Sequence, residues 1–255
     1  MEYSAPSVEG FLNLEKVTDV CVGIDINATE FEGIEHAKYQ KRLAGFSDKI
    51  RTNADAEDAV KMYRRLIAGA ESEVEILEIG FLQVISAALM SEPDEISPLS
   101  GQELFRKKVK KIWVMGGNWE QENGKEHNFI NGTTARSGAH TLVENCPVPI
   151  TFLGFEIGFK VKTGGDVLEK NDHLYLAMED HGSANGRWSW DPMLCMMALI
   201  GNEEKAGYNT VCGTARVDES TGENHFTENE NGLHKYVTFA KDIDFYQNQI
   251  NEYIK

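Results

Sequence analysis

The sequence predicts an open, mainly parallel but mixed α/β sheet flanked by helices, Rossmann-like in class. Three observations carry that prediction. Short apolar runs alternate with amphipathic stretches over most of the chain, the apolar runs end in glycine or a polar turn, and the intervals between them hold helices. Strand, helix, strand, helix is the rhythm of a parallel sheet with crossover connections.

The strand candidates are "KVTDVCVGI" (16–24), "VEILEIG" (74–80), "KIWVMGG" (111–117) and "VPITFLGF" (148–155). Between them, residues 55–68 place Ala59, Val60, Tyr63, Leu66 and Ile67 on one helical face, behind an Asp-rich first turn that suits the helix dipole. Residues 81–90 make a shorter apolar helix closed by Glu92-Pro93. A helix over 133–143 starts among Asn, Gly and Thr residues fit for capping. The last third predicts helices at 171–180 and 191–200, strands at 208–217 and 234–240, and a closing helix at 245–254. "DESTGENHFTENENG" reads as an exposed acidic turn or hairpin loop. No repeat, low-complexity tract or linker divides the chain, so residues 1–255 are expected to form one domain.

A chain of 255 residues is long enough for a full core. Its 41% apolar and 26% charged residues are those of an ordinary globular protein. The formal charge of −16 argues against nucleic acid or an anionic membrane as partner, because phosphate binding needs a basic face. The compact basic run "RKKVKK" (106–111) precedes a strand and reads as a solvated helix end. Cys21, Cys146, Cys195 and Cys212 form no CxxC pair and lie in apolar settings or beside proline. They are read as buried free thiols of a reducing cytoplasm. The N-terminus lacks a signal-peptide pattern, and the longest apolar run, 192–200, is too short to span a bilayer. A cytoplasmic protein is expected.

In parallel sheets, ligands bind beyond the carboxyl ends of the strands. Residues 116–128 of "KKIWVMGGNWEQENGKEHNF" lie at such an end. The two glycines let backbone approach a ligand, and Glu126 and Asn128 can bind hydroxyls. The same residues also fit a tight turn with a solvated charge; spacing leaves both readings open. In "GRWSWDPMLCMMALIG" (186–201), Asp191 before Pro192 makes a good helix N-cap. Alternatively, it is a hard oxygen ligand at a pocket edge, with Trp188 or Trp190 stacking on a planar ring. Asp242 and Asp244 are either a metal pair or surface charges. His36, His127, His140, His173, His181, His225 and His234 form no HxxxE or HExxH pattern. GxSxG, Walker A and GxGxxG are absent, which removes the main support for serine hydrolase, NTPase and dinucleotide-binding readings.

Taken together, "KKIWVMGGNW", "EHNF", "CPVPITFLGFEIG" and "RWSWDPM", in this order and at these intervals, resemble the nucleoside hydrolase family, the inosine-uridine type N-ribohydrolases. The resemblance covers 55–200 best. It implies a nucleoside hydrolase-like sheet, a Ca²⁺ ion at the strand ends, and cleavage of the bond between ribose and base in a ribonucleoside. That reaction passes through an oxocarbenium-like transition state. By resemblance, Met115 lines the ribose pocket, Glu126 and Asn128 bind ribose hydroxyls, Asp191 is a Ca²⁺ ligand, and Gln83 offers a backbone carbonyl to the metal. The ion would hold the sugar diol and lower the pKa of a water. Trp190 replaces a histidine that often precedes the metal-binding Asp, so stacking on the base is expected there.

The family's Asp-rich first strand, which carries the general base, matches no stretch of this sequence. Residues 1–24 resemble the second βα unit instead, so the first unit is expected to be missing and the catalytic base is unassigned. An open strand edge would then favour self-association into a homo-oligomer. Two expectations follow: a calcium-dependent hydrolase of purine and pyrimidine salvage, or a non-catalytic nucleoside- or ribose-binding or regulatory protein without the metal centre.

Overall fold

The two apolar runs at the heart of the chain, Val109–Met115 and Ile150–Leu153, lie side by side as parallel strands. Residues 112–115 and all of 150–153 are buried. Strands covered on both faces are expected to be continuously apolar rather than alternating. The computed structural model describes residues 1–26, 28 and 37–255; His36 lies outside them.

In chain order the elements begin with α1 (Ser4–Leu14), β1 (Gly23–Ile24), α2 (Lys38–Ala44), β2 (Glu57–Asp58), α3 (Ala59–Gly69), β3 (Val74–Glu78), α4 (Gln83–Leu89), α5 (Gly101–Lys108) and β4 (Val109–Met115). Next come α6 (His127–Ile130), α7 (Thr133–Asn145), β5 (Ile150–Leu153), α8 (Phe155–Gly158), β6 (Lys162–Thr163), α9 (His173–Asp180) and β7 (Arg187–Trp188). The chain closes with α10 (Trp190–Ile200), β8 (Tyr208–Val217), β9 (Asn224–Glu228), β10 (His234–Phe239) and α11 (Ile243–Tyr253). Among the described residues no helix is long and apolar enough to cross a membrane.

Contacts group the chain into two compact units: residues 1–62, 163–187 and 251–255, and residues 63–162 and 188–250. In the first, β1 pairs in parallel with β2. The buried Glu9 of α1 anchors the 47–50 turn by accepting the Ser47 hydroxyl and the N–H groups of Lys49 and Ile50. Arg42 of α2 donates twice to Asp180 of α9, at 2.5 and 3.0 Å.

The second unit holds the main sheet, ordered β3-β4-β5-β10-β8-β9. The β3–β4, β4–β5 and β5–β10 pairs are parallel; β10–β8 and β8–β9 are antiparallel. This is the mainly parallel, mixed α/β sheet expected. The core combines Leu82, Ile85 and Leu89 of the α4 segment with Ile112 to Met115 and Phe129, Phe152 and Leu194.

Several expectations are corrected. Of 16–24, only Gly23 and Ile24 pair as strand; Val17 and Val20 are exposed, and Lys16 has a left-handed φ of 58° that breaks an extended run. The helix expected from residue 55 starts at Ala59. Its Leu66 is exposed, while Arg64 is buried because Asp94 pairs with it. The basic run 106–111 divides between the last turn of α5 and the start of β4, where Lys111 pairs with Glu203 and lies 3.5 Å over the Trp113 ring. The acidic segment after residue 217 contains β9. Cys146 is buried, but Cys21 is exposed. Asp242 and Asp244 are exposed.

Candidate functional site

Past the ends of β4 and β5 the pairing continues for one more step. Gly116 donates to the Leu153 carbonyl at 3.1 Å, and Phe155 donates to the Gly117 carbonyl at 2.8 Å. The loops leaving these two neighbouring strands therefore start out held together. The glycines serve the protein's own rings: a Cβ on Gly116 would overlap Phe129, and one on Gly117, where φ is +82°, would overlap Trp119.

Glu126 is no solvated charge. It is 4% exposed, and its Oε2 accepts the N–H of Asn128 at 2.9 Å and of Gly117 at 3.3 Å. It caps the single turn of α6. The buried Asn128 sends its Nδ2 to the Met115 carbonyl at 3.1 Å and to the Met115 sulfur at 3.3 Å. Met115, Glu126 and Asn128 thus form one linked wall at the end of β4. Burial pushes the Glu126 carboxyl up to about 7, against the pull of the Asn128 and Gly117 amides, and the Asp191 charge adds to the rise.

Asp191 is not the N-cap expected; it lies in the first turn of α10, two residues past the actual cap, Ser189. Trp190 is half-buried, its ring 6.0 Å from that of Phe155, and it passes so close to Gly158 that a Cβ there would overlap it. Phe155 stacks on Phe159 at 5.0 Å, and Phe159 lies 4.8 Å from Trp188. An aromatic row therefore starts beside Asp191. Gln83 opens α4, where its backbone packs against Gly138 of α7.

Two further residues flank the wall. Asn118 is 7% exposed, and its buried Oδ1 has no hydrogen-bond partner among the described residues. Glu156 follows the end of β5; its Oε1 accepts the Trp119 N–H at 3.3 Å, and burial raises its carboxyl to about 7. The position of each, just beyond an apolar run and a glycine, is the signal that could have pointed to them.

Calcium takes six to eight oxygen ligands. Among the described residues no three His, Cys, Asp or Glu side chains gather as a metal cluster. The Gln83 carbonyl belongs to the first turn of α4, where helix geometry directs it along the axis. Asp191 brings one carboxylate, and a single carboxylate falls short of the shell that calcium takes.

No family model matches the chain, and no curated protein matches it. Solved structures do. The inosine-uridine preferring nucleoside hydrolase from Bacillus anthracis is similar with a TM-score of 0.52 and 17% identity, over 78% of this chain and 66% of that one. The type III effector protein XopQ, solved in complex with adenosine diphosphate ribose, gives a TM-score of 0.61 at 13% identity, over 98% and 76%. The effector protein XOO4466 gives 0.60 at 14%, over 98% and 78%. The chain has a nucleoside hydrolase-like α/β fold.

Proposed function

We propose that this chain is a nucleoside hydrolase-like protein that binds the ribosyl part of a ribonucleoside at the ends of β4 and β5 and cleaves its N-glycosidic bond. The linked wall of Met115, Glu126 and Asn128 carries this reading. A carboxylate and an amide, both buried and both held by hydrogen bonds, suit a sugar's hydroxyls. Asp191 beside Glu126 adds negative potential, which favours the positive charge that develops on the sugar as the base departs. Trp190 and Phe155 offer faces for the base. Addition of water at C1′ then yields ribose and free base.

The test is ribose release from inosine and uridine by the purified chain, with and without added calcium, alongside calorimetric titration of calcium and of ribose. Release of ribose supports hydrolysis. A second reading, ribosyl binding without turnover, is favoured by the poor fit of the described residues to a metal. Ribose binding with no release from either nucleoside would select it. The partner under both readings is a small ribonucleoside met in the cytoplasm, and light scattering tests the homo-oligomer.

A further inference from the structure

Within the acidic segment that reads as an exposed loop, Asn224 is fully buried. It opens β9, and its side-chain amide closes on the backbone of Asn118 from both ends. Oδ1 accepts the Asn118 N–H at 3.0 Å, and Nδ2 donates to the Asn118 carbonyl at 3.0 Å. The backbone of Asn224 pairs with Gly124, donating at 2.8 Å and accepting at 3.1 Å. Four hydrogen bonds thus tie one residue to both ends of the 118–124 loop.

Two residues beyond Gly124 stands Glu126, and just before Asn118 stands Gly117, whose N–H Glu126 accepts. The neighbours of Asn224 reach the same region. Glu223 pairs with Lys125 at 3.0 Å. Gly222, with φ of +74°, lies where a Cβ would overlap the Phe129 carbonyl of α6. An irregular loop has no ladder of its own, so its buried backbone groups need partners from elsewhere.

We propose that Asn224 is a positioning residue of the strand-end site. It sets the course of the 118–124 loop and, through it, the placement of the Glu126 carboxylate and the Asn118 side chain. What the site holds rests on the ribosyl reading above; the hold of Asn224 on the loop does not.

The experiment compares the full chain with Asn224→Ala and Asn224→Ser, the latter keeping one hydroxyl for Asn118. Hydrogen exchange should accelerate about tenfold or more over 117–128 in Asn224→Ala, as lost hydrogen bonds of this kind imply. It should accelerate less in Asn224→Ser, with β4 and β5 protected as before. Calorimetry with ribose and inosine should show affinity weakened about tenfold in Asn224→Ala, with partial rescue in Asn224→Ser. Unchanged loop exchange in the folded variants overturns the proposal. So does a lowered melting temperature with ligand affinity intact, the mark of a merely structural asparagine. If the unaltered chain binds neither ribose nor inosine, the ribosyl reading fails, and loop exchange alone decides the role of Asn224.

Discussion

The carboxylate of Glu126 accepts the backbone N–H of Asn128 at 2.9 Å, so one of the two candidate sugar-binding residues holds the other in place. Because the same oxygen takes the Gly117 N–H, the wall is set by internal hydrogen bonds before any ligand arrives. Preorganisation of this kind lowers the ordering cost of binding.

Glu126→Ala therefore removes a cap and, under the proposed function, a sugar contact. The lost cap should cost about 1–2 kcal/mol in urea denaturation, and ribose binding should disappear in calorimetry. Glu126→Gln keeps an acceptor oxygen, so it should hold most of the stability while still weakening the sugar grip. Equal stability of Glu126→Ala and the unaltered chain would show that the cap contributes nothing.

Under the proposed function Trp190, beside Phe155, meets the base rather than the sugar. Trp190→Ala should weaken inosine by about 1 kcal/mol, roughly fivefold, and leave ribose unchanged. Parallel titrations decide it, and an equal loss for both ligands would remove Trp190 from base recognition.

Arg64 is 2% exposed and donates to Asp94 through Nε and Nη2, both at 2.8 Å, to the Ser91 hydroxyl at 2.6 Å and to the Leu99 carbonyl at 3.1 Å. It staples α3 to the turn before α5. Arg64→Ala should destabilise by about 3 kcal/mol, since buried acceptors lose their donor and the stem leaves a cavity. A change below about 1 kcal/mol in the urea midpoint analysis would contradict this.

Glu78 ends β3 almost wholly buried, with the Tyr63 hydroxyl donating to it at 2.5 Å. Burial raises its carboxyl to about 7, although the tyrosine bond pulls the other way. In the folded chain it keeps its proton at pH values where the unfolded chain has lost it. Its contribution is thus full below the ordinary carboxyl range and falls away as pH rises through about 7. For Glu78 alone the fall is about 3 kcal/mol. Glu126 and Glu156 act in the same direction, whereas Asp94 and Asp180, held near 2 by Arg64 and Arg42, lose their contribution only in stronger acid. Denaturation between pH 4.5 and 8 should show stability declining, with a shallower decline in Glu78→Gln. Identical slopes would refute the assignment to Glu78.

The parts of this fold legible in the sequence are those whose signal is local. Residues 112–115 of β4 and all of β5 form buried, largely apolar runs because both faces are covered there, and β8 and β10 fall where their patterns predict. Asp172, placed ahead of α9, accepts the Leu174 N–H as a cap should. The 16–24 run carries an equally apolar pattern, yet little of it finds a strand partner. Pattern alone does not supply a neighbour. β9 was hidden because "NHFTE" has a strand's composition only in part, and its pairing with β8 comes from tertiary contact.

By itself the sequence determined the α/β class, the apolar runs that become the central strands β4 and β5, and the presence of Met115, Glu126 and Asn128 at the end of β4. Only the tertiary structure decided that Glu126 is buried and capping rather than solvated, that Asp191 bears on it electrostatically, and that Asn224 binds both ends of the 118–124 loop before it. Local patterns encode what a residue's own segment does, through periodicity and capping. The protonation and placement of a side chain depend on groups brought near it by the fold, here from as far along the chain as residue 224.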